Sequence, residues 1–109
     1  MVKKQGVQNK SIATYSLESL KTIFNAPDKL VMTNSAIRGQ EALGFTDENV
    51  VAAIQALTND DFYKSMAPYT AGFTAWQDVY KSTFKGIELY IKFQDNPITG
   101  EIILSFKEK

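Results

Sequence analysis

GIELYIKFQDNPITGEIILSFK, residues 86–107, decides the fold. Ile87, Leu89, Ile91 and Phe93 alternate with Glu88, Tyr90 and Lys92; further on, Ile102, Leu104 and Phe106 alternate with Ile103, Ser105 and Lys107. A period of two sends successive side chains to opposite faces, so each run reads as a strand with one apolar face. Asp95, Asn96, Pro97 and Gly100 between them are turn formers, and the whole predicts an antiparallel hairpin. The two apolar faces coincide only when paired residue numbers sum to an odd value. The register read this way pairs Leu89 with Phe106 and Ile91 with Leu104. It sets Tyr90 opposite Ser105 and Lys107 opposite Glu88. Diagonal neighbours lie about 7–8 Å apart, so Tyr90 and Lys107 converge on the polar face.

The alternation extends upstream. WQDVYK lies in a predicted strand at 75–81, where Gln77, Val79 and Lys81 alternate with Trp76, Asp78 and Tyr80; DFYKSM begins at Asp61, and the strand spans 62–67. Before Asp60 the period is helical. Leu17, Leu20, Ile23 and Phe24 recur at helix spacing behind a Ser16 cap, and Pro27 ends that helix. VMT (31–33) is a short extended piece. Asn34 is the expected cap of a second helix through Leu43, with Gly44 just past its end. Thr46, Asp47 and Glu48 open a third helix, whose buried stripe is Val50, Ile54 and Leu57, with Val51 and Ala53 beside it. Helices first and strands second give an α+β domain, an antiparallel sheet with helices on one face. The division expected is a basic, weakly ordered arm at 1–15 and one domain at 16–109, with helices over 16–58 and sheet over 62–107.

The 109 residues hold no cysteine and no histidine. That removes zinc-ribbon, thiolate and iron–sulfur chemistry and most transition-metal sites from consideration. No metal and no cofactor is expected. The longest apolar run is VVAAI at 50–54, far short of the roughly 20 residues of a membrane span. The basic start MVKKQGVQNK has no apolar stretch behind it and does not read as a secretory signal. A cytoplasmic protein without a membrane partner is expected. Net charge is zero but segregated: +3 over 1–15, −4 over 16–61 and +1 over 62–109. Any anion-binding face must therefore be local.

Pattern alone favours plain readings of the polar residues. The lysines read as a solvated sheet face. Trp76, Tyr63 and Phe73 read as core, and the Asp60–Asp61 and Asp47–Glu48 pairs as acids at helix starts. No phosphate-binding glycine loop, metal-ligand spacing or nucleophile elbow is present.

DFYKSM (61–66), WQDVY (76–80), ELYIK (88–92) and the terminal SFKEK (105–109), in that order, resemble the MqsR family, motility quorum-sensing regulator toxins of bacterial toxin–antitoxin pairs. The resemblance runs from about Leu17 to the C-terminus; residues 1–15 and APYTAGFTA (67–75) depart from it. It implies a RelE-like fold. It also implies ribosome-independent, sequence-specific endoribonucleolytic cleavage of mRNA, with Lys64, Gln77, Tyr90 and Lys107 as the catalytic set. The implied partner is a cognate antitoxin with a zinc-binding part and a helix-turn-helix part; direct DNA binding by the toxin alone is not expected. Lys81 and Lys92, on or near the same face, are candidates for binding flanking RNA phosphates.

Such a set can cleave RNA without histidine. The 2′-OH attacks the adjacent phosphorus, giving a 2′,3′-cyclic phosphate and a 5′-OH. The protein positions the bond, moves two protons and neutralises developing charge. Free lysine and tyrosine titrate near about 10.4 and 10, and crowded lysines lower one another. Lys64 and Lys107 are expected to hold the phosphate, Tyr90 to serve in proton transfer and Gln77 to donate an orienting hydrogen bond. The alternative is a relative that has lost cleavage and acts as an antitoxin- or RNA-binding module.

Overall fold

The computed structural model describes residues 9–67, 75–96 and 98–109. Each α-helix starts on a hydroxyl. Ser16 caps α1 (Leu17–Ile23) by accepting the Ser19 N–H. Thr33, rather than Asn34, caps α2 (Asn34–Leu43) by accepting the Ala36 N–H. The Thr33 N–H donates to the Leu104 carbonyl at 3.0 Å, which holds Thr33 extended and starts the helix one residue earlier than an Asn34 cap would. Thr46 opens α3 (Asp47–Gln55) with a reciprocal capping box to Asn49. Gly44 ends α2 at φ 71°, a left-handed conformation that costs glycine little. Met32 forms a parallel bridge to Leu104, so the extended VMT piece runs beside the last strand.

The strands are β1 (Asn9–Lys10), β2 (Phe62–Met66), β3 (Gln77–Phe84), β4 (Ile87–Asp95) and β5 (Ile102–Glu108). Among the described residues they form one antiparallel sheet in chain order, β1 to β5. The protein is thus α+β, as the alternation predicts. Lys85 and Gly86 join β3 to β4 with φ of 53° and 77°, the two positive values that a tight hairpin turn requires.

The inner face carries Tyr80, Leu89, Ile91, Phe93, Leu104 and Phe106. These pack with Leu20, Phe24, Phe45, Val50, Ala53, Ile54 and Leu57 from the helical layer. Phe93 is the hub: its ring lies 5.8 Å from Phe24 and 5.8 Å from Tyr80. Ile23, expected in the stripe, is 40% exposed, because α1 ends there and Phe24 takes the inward position. Phe73, expected in the core, lies outside the described residues.

The β4–β5 register keeps the odd sum but slides by two residues. Ile91 pairs with Phe106, Phe93 with Leu104, and Tyr90 directly with Lys107. The turn is tighter than QDNPITG suggests. Asn96 N–H donates to the Glu101 carbonyl, and Gly100 N–H to that of Asn96. Strand β4 therefore continues through Gln94 and Asp95.

Two features depart from simple alternation. Phe62 pairs with Tyr80 and Lys64 with Val79, so Tyr63 is the extra residue of a bulge. The second is the arm. Its residues 1–8 lie outside the described residues, but β1 pairs with β2, and the residues after it are tied down by Asp78. That carboxylate is fully buried and accepts the Thr14 N–H, the Tyr15 N–H (2.8 Å) and the Ser65 hydroxyl (2.7 Å). The Tyr15 hydroxyl donates to the Trp76 carbonyl and accepts the Asp95 N–H. The segment from Asn9 to Tyr15, inside the expected arm, is thus joined to the sheet by partners more than fifty residues away.

Asp78→Ala would orphan those donors and should destabilise the fold by at least about 2 kcal/mol in urea unfolding. Amide exchange at Thr14 and Tyr15 should accelerate in the variant. Burial first, then the Asp78 charge, pushes the Tyr80 phenol from 10.0 up to about 12. Unfolded chain loses this proton first, so stability should fall as pH rises from about 10 to 12. Tyr80→Phe should flatten that fall in pH-dependent melting.

Candidate active site

The outer sheet face is built by register. One row across the strands reads Lys64, Val79, Lys92, Ser105; the next reads Lys81, Tyr90, Lys107. A third reads Met66, Gln77, Gln94, Ile103. Lys64, Gln77, Tyr90 and Lys107 therefore share one face. So do Lys81 and Lys92. Tyr90 and Lys107 are direct cross-strand partners, and Gln77 lies one row from Lys64 and Lys92.

The bulge shapes this face. Phe62 and Ser65 both point to the helical side, three residues apart, which strict alternation forbids. The extra residue absorbs the mismatch and turns Tyr63 outward beside Lys64. Tyr63, expected in the core, is 46% exposed. Its ring lies 6.5 Å from that of Tyr90. The Lys81 ammonium sits 3.7 Å from the Tyr63 ring centroid and 5.8 Å from that of Tyr90. The Lys64 ammonium is 5.0 Å from the Tyr63 centroid. A cation over an aromatic face is held electrostatically, so these lysines are organised around phenol rings rather than free in solvent. Sequence reasoning missed Tyr63; the readable signal was that Phe62 and Lys64 cannot take opposite faces without an irregularity between them.

Lys92 lies mid-face. Val79 opposite it is 2% exposed, a dry patch beneath the amines. Burial first, then the ammonium groups of Lys107 and Lys64, hold the Lys92 amine below the usual lysine range. Lys107 on β5 and Lys64 on β2 flank Lys92 on this face. Glu88, the acid at the end of this face, forms an ion pair with Lys109 at 3.7 Å. Beside Tyr63 and Lys64 an open groove continues along Asn9, Lys10, Ser11 and Ile12. The Lys10 ammonium lies 4.4 Å from the ring of the half-buried Trp76. Among the described residues, no three histidine, cysteine, aspartate or glutamate side chains cluster as metal ligands, and no helix is long and apolar enough to cross a membrane.

A helix-backed antiparallel sheet whose open face groups lysines, phenols and a carboxamide defines a small α+β domain with one cationic, hydrogen-bonding face. The relatives narrow this class. A family model described as motility quorum-sensing regulator, toxin of MqsA, matches residues 12–108. The mRNA interferase toxin MqsR of Escherichia coli (strain K12) is 36% identical over 93 residues, covering 85% of this chain and 91% of that protein. The chain belongs to the MqsR toxin family.

Tyr63→Leu should release Lys81. The upfield ring-current shift of the Lys81 side-chain methylenes, measured by NMR, should disappear in the variant while the Phe93 core resonances stay in place.

Proposed function

We propose that this protein is an mRNA interferase, an endoribonuclease that cuts RNA by 2′-OH attack without needing a metal ion. Products are a 2′,3′-cyclic phosphate and a 5′-OH. The observation that carries the reading is the direct pairing of Tyr90 with Lys107 on the face that also bears Lys64 and Gln77. Its relative's name, mRNA interferase toxin, supports the substrate class.

Lys64 on β2 and Lys107 on β5 stand on either side of Lys92 and hold the scissile phosphate between them. They neutralise charge that grows on its oxygens as the new bond forms. Tyr90, hydrogen-bonding to a reacting oxygen, gives a proton to the leaving 5′-oxygen. Gln77 donates to phosphate or ribose and fixes the in-line geometry. Lys81, held over Tyr63 and Tyr90, binds a neighbouring phosphate. The groove past Asn9 and Lys10 extends the track for the strand. The toxin acts in the cytoplasm and is neutralised by an antitoxin of the MqsA kind, with a zinc-binding part and a helix-turn-helix part.

The test is cleavage of a long RNA in EDTA. Wild type should yield fragments with cyclic phosphate ends. Lys64→Ala, Tyr90→Phe and Lys107→Ala should each lose about 10²–10⁴-fold in rate, with melting temperatures near wild type. Absence of cleavage by folded wild type, or full activity in Tyr90→Phe and Lys107→Ala together, would overturn the reading.

A further inference from the structure

Cleavage needs an acceptor for the 2′-OH proton, and the roles above leave that place open. Its candidates are the amines of the outer face. Lys64 and Lys81 lie against the Tyr63 ring, 5.0 and 3.7 Å from its centroid, and are occupied there. Lys107 is exposed on the outermost strand, β5. Lys92 differs in placement. It is half-buried in the middle of β4, opposite Val79 on β3 and Ser105 on β5. Diagonal to it are Gln77 and Lys81 on β3, and Ile103 and Lys107 on β5. Tyr90 and Gln94 share its strand face, and Lys64 and Tyr63 lie beyond Val79 on β2. Among the described residues, the charged groups facing Lys92 from the neighbouring strands are thus lysines, over a dry valine, and the acid Glu88 sits at the far end of its own strand, paired with Lys109.

We infer that Lys92, rather than binding a flanking phosphate, is the catalytic residue that takes the proton from the 2′-OH. This rests on the ribonuclease reading of the same face. The neutral Lys92 amine accepts the 2′ proton while the 2′-oxygen bonds to phosphorus. The P–O5′ bond breaks, and Tyr90 supplies the proton that the 5′-oxygen gains. Lys92 then returns its proton to solvent as Tyr90 regains one, so charge and protons balance over the turnover. Lys64 and Lys107 act twice: they bind the phosphate, and their like charge favours the neutral amine between them. The lowered Lys92 pKa agrees with this role.

Arginine separates this role from anchoring, since it keeps the positive charge and cannot give it up near neutral pH. Lys92→Arg should bind an uncleavable RNA, 2′-deoxy at the cut site, within about threefold of wild type, yet cleave ribo-substrate at least about 100-fold more slowly. The absence of cysteine allows a second variant. Lys92→Cys, alkylated with 2-bromoethylamine, restores a primary amine of lower basicity at this position alone. Its cleavage should recover, with the acid limb of the kcat/KM profile moved to lower pH than in wild type. A merely structural lysine would leave that limb where it is. Lys92→Arg cleaving within about threefold of wild type, or an alkylated variant with an unmoved limb, would overturn the inference. In either case cleavage by wild type and its loss in Lys64→Ala would leave the ribonuclease reading standing. Wild type that cuts no RNA would remove both.

Discussion

The buried carboxylate of Asp78 fixes the geometry on which the outer face depends. It lies on the helical side of β3, and three donors from two distant parts of the chain converge on it: Thr14 N–H, Tyr15 N–H and the Ser65 hydroxyl. A charge at that depth is tolerable only where donors replace its water. Ser65 is also its cross-strand partner. A slip of β2 by one residue would pull the hydroxyl away and leave the carboxylate short of a donor, while turning Lys64 inward. The lysine's place on the open face thus follows from a hydrogen bond made on the opposite face. Sites built on sheets gain precision when the strand that carries them has no second register of comparable energy.

Much of the architecture was legible because it follows from short-range chemistry. Hydroxyl caps, the left-handed glycine at 44 and the two-residue period each depend on a few neighbouring residues. The sum rule for β4 and β5 gave the right faces because parity is set by burial. It missed the register by two residues because parity does not distinguish steps of two; the Asn96–Glu101 hydrogen bond does. The shift matters for the site: it turns Tyr90 and Lys107 from diagonal neighbours into direct partners. The bulge was the harder feature. Read by alternation, DFYKSM puts Phe62, Lys64 and Met66 together, and no local rule says which one yields. The contact of Phe62 with Tyr80, at 5.5 Å between ring centroids, and the pull of Asp78 on Ser65 settle it through tertiary packing. The roles given to Lys64, Gln77, Tyr90 and Lys107 came from family likeness; alternation supplied only a shared face for part of the set.

Charge segregation in the sequence acquires a spatial meaning. The acid-rich segment 16–61 forms the helical layer, while the lysines of β2 to β5 gather on the opposite side of the sheet. A chain of zero net charge can therefore present a positive field over one face alone. Attraction for a polyanion is then directional: a strand approaching the helical side meets acids, and one approaching the sheet meets amines. Long-range encounter is weaker than for a uniformly basic protein, and more of the binding energy must come from close contacts.

The order of the sheet bears on how the chain assembles. Strands β2 to β5 each pair with their neighbour in sequence, so the meander closes only short loops and can form early. The β1 pairing and the Thr14–Tyr15 clasp close a loop that spans all three helices, at a higher entropic cost. The strands that carry Tyr90 and Lys107 are thus joined by pairings between neighbours in sequence, whereas the flank of the groove beside Tyr63 and Lys64 is held by contacts that bridge the whole helical layer.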